Sequence, residues 1–174
     1  MLTIGHSNRP LEEFLSMLQT HGVDLLVDVR TVPRSRHNPQ FNRESLPESL
    51  AGVGIAYAHM PALGGLRHKS RDLPASVNAF WQNDSFHNYA DYAMGEAFRD
   101  GLAQLRELGG RRRSAIMCAE AVWWRCHRRI IADYLLAGGD AVFHIMGPHH
   151  VEPARMTQAA RREPDGRLTY PAAG

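Results

Sequence analysis

Ser114-Ala-Ile-Met-Cys-Ala-Glu120 stands shortly before Trp123-Trp-Arg-Cys-His-Arg-Arg129, and these two runs are the most informative part of the chain. The first run is apolar up to Cys118 and polar from Glu120, which is typical of a buried strand that leads into a helix. In open α/β folds ligands bind at such a junction, because the carboxyl ends of parallel strands face the positive ends of the following helices. The sequence therefore predicts a binding site near Cys118 without specifying a reaction.

On both sides of this stretch, short apolar runs alternate with segments of helical periodicity. The predicted strands are residues 2–4, 23–29, 54–59, 115–118 and 141–145, and the predicted helices are residues 11–18, 43–51, 86–105 and 122–136. The run from Val23 to Val29 is largely apolar without alternation, as a strand buried on both faces requires. We expect an α/β fold with a mainly parallel sheet of about five strands and helices on both faces, a Rossmann-like three-layer sandwich.

The length of 174 residues and the hydrophobic content of 44% fit a single domain. A chain of this size buries roughly 70% of its unfolded surface, so no second core is needed. We expect the domain to cover residues 1–146. Residues 60–84 carry several charges without a regular period, which indicates a long functional or mobile loop. From Gly147 on, Pro, Arg and Ala dominate, so residues 147–174 are expected to form a loosely ordered tail.

The formal net charge is only +2, which argues against a protein that coats nucleic acid. Positive charge is instead concentrated at residues 67–71, 111–113 and 125–129, and such clusters can hold an anion. The N-terminus lacks the features of a signal peptide, and no apolar run is long enough to cross a membrane. We therefore expect a soluble cytoplasmic protein without membrane contact; the sequence does not fix its oligomeric state.

Cys118 is the first candidate for catalysis. The thiols of Cys118 and Cys126 are expected to stay reduced, because a strand end and a helix interior seldom meet the geometry of a disulfide. Helix amides and the guanidinium of Arg125 or Arg128 would lower the pKa of Cys118, which is the environment of a nucleophile. The alternative is a small buried residue that completes the strand. A phosphatase-like loop is disfavoured, because bulky residues separate Cys118 from Arg125.

Further candidates follow Cys118. Glu120, expected in the first helical turn, could act as a base, cap the helix amides or pair with an arginine. Cys126 and His127 share helical spacing with Trp123 and are expected on a buried face, where core packing is the alternative to ligand binding. Arg128 is expected to point away from them, toward an anion or toward solvent.

A metal site is the weaker interpretation of the same groups. Cys118, Cys126, His127 and His6 could supply thiolate and imidazole ligands of the zinc type. Structural zinc motifs usually come as short paired spacings, which this chain lacks. We therefore predict neither a bound metal nor another cofactor.

Two other predicted strands also end in polar side chains. The residues at these ends are His6, Ser7, Asn8, Asp28, Arg30, Arg34 and Ser35. Those after the first strand could form an anion cradle where a helix begins, or cap that helix. After the second strand, an ion pair from Asp28 to a neighbouring arginine would order the loop, and structural pairing and ligand binding fit equally well.

Five motifs, in order along the chain, resemble a known family. They are Thr3-Ile-Gly-His-Ser-Asn8, Asp28-Val-Arg30 with Pro33 and Ser35, Leu63-Gly-Gly65, Cys118-Ala-Glu120 and Cys126-His-Arg128. Together they are similar to the motifs of the domain of unknown function family numbered 488, over about residues 2–146. The resemblance implies a small α/β protein whose polar motifs meet on one side of the sheet, and it adds Gly64 and Gly65 to the expected ligand-binding residues.

The leading functional prediction is an enzyme or ligand-binding protein with an anion site at the carboxyl ends of the parallel strands. Its ligand would be a phosphorylated or nucleotide-like small molecule. The candidate catalytic residues are Cys118, Glu120 and His6. The candidate ligand-binding residues are Ser7, Asn8, Asp28, Arg30, Arg34, Ser35, Gly64, Gly65, Cys126, His127 and Arg128. The alternatives are a nucleic-acid-binding module that uses the local arginine clusters, and a thiol redox or metal-binding protein.

Overall fold

The computed structural model describes residues 1–174. Its strands are β1 (Leu2–Gly5), β2 (Leu25–Asp28), β3 (Ala56–His59), β4 (Ser114–Cys118), β5 (Phe143–Gly147), β6 (His150–Pro153), β7 (Arg161–Arg162) and β8 (Leu168–Thr169). Its α-helices are α1 (Leu11–Thr20), α2 (Leu46–Ala51), α3 (Asp84–Ala93), α4 (Glu96–Arg111) and α5 (Arg128–Ala137). None of these helices combines the length and the hydrophobicity needed to cross a membrane.

Six strands form one sheet in the order β3-β2-β4-β1-β5-β6. The first five in this order are mutually parallel, and β6 runs antiparallel to β5 at the edge. The predicted α/β fold with a mainly parallel sheet is therefore confirmed, with one antiparallel strand added. The register places Gly5 opposite Cys118, and Asp28 opposite Met117, so the carboxyl ends of the central strands meet at one edge.

Helices cover both faces of the sheet, because alternate side chains of its strands enter two separate cores. Along β4, Ile116 packs into the core beneath α3, α4 and α5, whereas Ala115 and Met117 pack into the core beneath α1 and α2. Both faces are thus apolar, as a parallel sheet requires. Each fully buried Leu, Ile or Phe contributes roughly 1.5–3 kcal/mol to folding.

The connections open a crevice at the carboxyl end of β4. The chain leaves β1 and β2 toward the face of α1 and α2, but it leaves β4, which lies between them, toward the face of α5. Loops that depart to opposite faces leave a gap at this switch point, where ligands bind in open α/β sheets. The fold therefore places Cys118 at the floor of such a gap.

Two predicted helices differ from those observed. The predicted helix over 86–105 is two helices, since Gly95 has an extended backbone and begins α4 separately. The predicted helix over 122–136 starts only at Arg128, because a short 3-10 turn at Trp123–Arg125 is followed by extended backbone at Cys126. Cys126 and His127 therefore precede the helix rather than lying on its buried face.

The sequence indicates a loosely ordered tail over 147–174, and the structure gives these residues defined contacts. They include β6, which pairs with β5, and the small β7–β8 hairpin. Leu168 and Tyr170 are fully buried in the core beneath α5, and the Tyr170 hydroxyl donates a hydrogen bond of 2.9 Å to Asp133. The strands are too short for their periodicity to stand out in the sequence.

Candidate functional site

A cavity of about 410 Å³ opens at the carboxyl end of β4. Its walls come from the segments after β2, β3 and β4 and from the start of α3. The predicted site residues that line it are Arg30, Arg34, Gly65, Cys118, Glu120, Cys126 and His127. A second cavity of about 440 Å³, between α4 and the β7–β8 hairpin, contains none of the predicted site residues. The first cavity is therefore the candidate site.

Arg128 lies directly behind this cavity and is fully buried. Its Nε donates to the Cys118 Sγ at 3.0 Å, and its backbone N–H donates to the Cys126 Sγ at 3.4 Å. Its other guanidinium nitrogens donate to the Thr3 hydroxyl and to the Glu120 carbonyl, both at 2.8 Å. None of these partners is a carboxylate. Because a buried charge needs a counter-charge, the thiols are the groups in contact with Arg128 that can provide one.

The two cysteines are free and buried, and each changes the pKa of the other. Burial raises the pKa of Cys126, but a hydrogen bond from Cys118 and the charge of Arg128 outweigh it and lower that pKa to about 7. The lowered pKa predicted for Cys118 is wrong, because burial and the neighbouring Cys126 raise it well above its usual range. The first proton therefore leaves Cys126 near neutral pH, and Cys118 keeps its own proton.

His127 stands next to Cys126 and is held in one orientation. Its Nε2 lies 2.7 Å from the Val29 carbonyl oxygen, and its Nδ1 lies 3.4 Å from the Cys126 Sγ. Burial lowers the pKa of His127, so the ring is neutral at pH 7. Because a carbonyl only accepts, Nε2 carries the single proton and Nδ1 is free to accept one from Cys126. This is the arrangement of a nucleophile, a base and a group that orients the base.

The cavity wall also carries charged and apolar side chains that face solvent. Arg34 and Arg125 are exposed cations, and Glu120 is an exposed anion on the same wall. Arg34 pairs only loosely with Glu44, at 3.7 Å between two exposed groups. Val32 and Leu66 are exposed as well and give this wall an apolar part.

Arg30 reaches the cavity, but most of its guanidinium is already engaged. Its Nε and Nη2 form two hydrogen bonds with the buried Asp28 carboxylate, at 2.9 and 2.7 Å, and Nη2 also donates to the Phe41 carbonyl at 2.7 Å. The Asp28 carboxylate also accepts hydrogen bonds from the Arg30 backbone N–H at 3.1 Å and from the Tyr57 hydroxyl at 2.6 Å. The structural ion pair that the sequence allowed at Asp28 is therefore present, and it fixes the loop after β2.

His6, a predicted catalytic residue, lies outside the cavity and has both ring nitrogens occupied. Its Nδ1 donates to the Ser7 carbonyl at 2.7 Å, and its Nε2 accepts from Arg30 at 3.3 Å. The ring stacks on Phe41 with a centroid distance of 4.5 Å. Burial lowers the pKa of His6 to about 4. A neutral imidazole with hydrogen bonds at both nitrogens stabilises the position of Arg30 and the turn after β1.

The remaining predicted residues shape the loops around the cavity without lining it. Ser7 has a positive φ of 48°, and its side chain donates weakly to exposed Asn8 at 3.4 Å. The hydroxyl of Ser35 accepts from the Asn38 backbone at 3.1 Å and orders the loop after β2. Gly64 packs so closely against Thr31 that no side chain would fit.

Two glycines allow backbone segments to approach the site. A Cβ on Gly5 would overlap the Glu120 carbonyl, which is a hydrogen-bond partner of Arg128. A Cβ on Gly65 would lie 2.6 Å from the His127 Nδ1. Their lack of a side chain therefore lets the loops after β1 and β3 pack against the groups that surround the thiols.

The sequence interpretation missed a polar chain beneath Arg128. The Thr3 hydroxyl accepts from Arg128 and donates to the Nδ1 of buried His144 at 2.6 Å. Burial, followed by the charge of Arg128, lowers the pKa of His144 to about 3, so this ring is neutral. The available signal was Thr3 itself, a polar residue between the apolar Leu2 and Ile4, and the structure buries all three.

No group of three or more His, Cys, Asp or Glu side chains is placed to hold a metal ion. Cys118, Cys126 and His127 do come together, but His6 lies apart from them, on the far side of Arg30.

Comparison with known proteins identifies a family but no individual relative. The model of a domain family described as domain of unknown function DUF488 matches residues 10–135. No curated protein and no solved structure matches the chain.

Proposed function

The chain belongs to the DUF488 family of domains of unknown function, whose description names no reaction, and from the site itself we propose an enzyme that acts on a small anionic molecule. The molecule binds in the cavity at the carboxyl end of β4, and Cys126 attacks it as a thiolate. The observation that carries this proposal is the fully buried Arg128, which contacts two thiols and no carboxylate.

The solvent-facing wall of the cavity supports an anionic ligand with an apolar part. Arg34 and Arg125 are cations without a strong partner in the protein, so a phosphate can bind them without breaking a buried ion pair. Exposed Val32 and Leu66 on the same wall suit a flat apolar group such as a nucleobase. A nucleotide-like or other phosphorylated small molecule combines both features.

The attack uses groups already in contact. The Nδ1 of His127 takes the Cys126 proton, and the sulfur forms a bond to an electrophilic carbon of the substrate. The bond to the leaving group breaks with its electron pair, and the leaving group takes the proton held by His127. Carbon is preferred to phosphorus because a phosphate-wrapping loop needs small residues after its cysteine, whereas His127, Arg128 and Arg129 follow Cys126.

The first test is calorimetric titration of the full chain with inorganic phosphate and with adenosine monophosphate. We expect Arg125→Ala and Arg34→Ala each to weaken binding about tenfold, which corresponds to losing one charge-assisted hydrogen bond. Arg36→Ala and Arg155→Ala are the matched controls, since both residues are exposed and lie outside the cavity.

The same titration separates the proposal from its alternatives. Equal losses in the cavity and control variants would contradict a localised anion site. Failure of both small anions, together with oligonucleotide binding that weakens steeply with salt, would favour the nucleic-acid alternative.

A further inference from the structure

Cys118 has no task in the proposed attack, although its sulfur accepts a hydrogen bond from Arg128. Its Sγ accepts from the Arg128 Nε at 3.0 Å and lies 3.6 Å from the Glu120 carbonyl oxygen. A passive strand residue at this position needs no sulfur. The second thiol therefore calls for its own explanation.

The position of the two sulfurs restricts what can react with them. Cys118 and Cys126 both line the cavity, yet they are only 2% and 6% exposed, so only a small reagent reaches them easily. They are the only cysteines of the chain, both sulfurs accept hydrogen bonds from Arg128, and the two side chains are close enough to change each other's pKa. A sulfur oxidised in this cavity therefore has a second thiol available beside the same arginine.

We propose that Cys118 and Cys126 form a reversible disulfide within one chain when a small peroxide enters the cavity. The Cys126 thiolate attacks one peroxide oxygen, the O–O bond breaks, and a sulfenic acid and hydroxide form. Cys118 then loses its proton, its sulfur attacks the Cys126 sulfur, and the S–O bond breaks as hydroxide leaves. In total, two thiols and one hydrogen peroxide give one disulfide and two waters. The two sulfurs supply the two electrons that the peroxide takes up.

Arg128 assists the second step of disulfide formation and also stabilises the reduced state. Its Nε contact stabilises Cys118 as a thiolate, the form that must attack in the second step. Once the disulfide has formed, neither sulfur carries charge, and the buried guanidinium has lost its counter-charge. The reduced pair is therefore the more stable state around Arg128, and a dithiol reductant should reopen the disulfide readily.

The test is intact-protein mass spectrometry after one equivalent of hydrogen peroxide, followed by denaturation with iodoacetamide to block the remaining thiols. We expect the wild type to lose the mass of two hydrogen atoms and to take up no carbamidomethyl group, and peptide mapping to join residue 118 to residue 126. Dithiothreitol added before the block should restore two alkylated cysteines. Cys118→Ser should instead hold a sulfenic acid on Cys126 that dimedone traps.

Three results would overturn the disulfide: oxygen atoms added to both sulfurs without a bond between them, a disulfide that joins two chains, or two thiols that survive the peroxide. The wild-type measurement does not depend on how the variants fold. It also needs no ligand, so it stands or falls separately from the proposed function.

Discussion

Two buried guanidinium groups behave differently because their partners differ. Arg30 faces the Asp28 carboxylate through two hydrogen bonds and has its charge balanced within the protein. Arg128 faces Cys118 and Cys126 and has its charge balanced only when a thiol ionises. At the scale of single residues, the first arginine therefore supports the fold and the second activates the site.

Replacing Arg30 with Ala should destabilise the protein by about 3–5 kcal/mol, because Asp28 would remain buried without its cation. Arg34→Ala is the matched control, since its pair with Glu44 is exposed and its loss should change stability by less than about 0.5 kcal/mol. Urea unfolding measures both. An Arg30→Ala protein as stable as the control would show that Arg30 does not stabilise the fold and would favour a role in ligand binding.

The rate at which iodoacetamide alkylates the native protein should rise with pH around a midpoint of about 7, because only the thiolate reacts and the pKa of Cys126 is lowered to about 7. Cys126→Ser should remove this phase and leave only slow reaction of Cys118 at higher pH. Cys118→Ala should move the midpoint upward, because the hydrogen bond to the Cys126 thiolate is lost.

A single midpoint near the ordinary cysteine pKa of about 8.5 would contradict the lowered pKa of Cys126. So would a wild-type profile that Cys126→Ser leaves unchanged. Thermal unfolding of each variant checks that the fold persists at every pH used.

At the scale of elements, the site depends on how closely the loops after β1 and β4 approach each other. His6 and Ser7 donate backbone hydrogen bonds to the carbonyls of Cys118 and Ala119, each at 3.0 Å. These bonds continue the sheet pairing past the ends of both strands. They hold the segment that carries the Glu120 carbonyl against Arg128.

Gly5→Ala should cost at least about 1–3 kcal/mol in urea unfolding, because its Cβ would overlap the Glu120 carbonyl and force the loop after β4 to move. It should also slow alkylation of Cys126 at neutral pH, since Arg128 loses its fixed position. Gly110→Ala, within α4 and without a neighbour in reach of a Cβ, is the control and should stabilise the protein by up to about 1 kcal/mol. Equal effects of the two substitutions would show that Gly5 does not pack closely against the Glu120 carbonyl.

Elements with strong patterns could be predicted from the sequence, and elements set by single tertiary contacts could not. The strand at Ser114–Cys118 follows from an apolar run with a polar end. The late start of α5 does not, because the backbone at Cys126 is extended while its sulfur accepts the N–H of Arg128, a contact that helical spacing cannot show. That the motifs of Cys118, Cys126 and His127 meet on one side of the sheet is implied by the family resemblance, whereas the position of His6 outside the cavity depends on its stacking against Phe41.

At the scale of the whole molecule, the segment after Gly147 contributes to the core. Tyr170→Ala should cost about 3–5 kcal/mol, since it empties a fully buried aromatic site beneath α5. Tyr170→Phe keeps the ring and loses only the hydrogen bond to Asp133, so about 1–3 kcal/mol is expected. Chemical denaturation distinguishes the two variants. A Tyr170→Ala protein with wild-type stability would show that residues 147–174 do not stabilise the fold.

The strand order has a consequence for how this protein is made. β1 comes first in the chain but lies inside the sheet, between β4 and β5, with Leu2 opposite Ala115 and Phe143. Pairing between such distant segments is slow, because the entropy of loop closure is lost before the contacts form. As the chain emerges from a ribosome, β1 therefore remains apolar and unpaired until β4 has been synthesised. During that interval β1 is exposed to association with other unfolded chains.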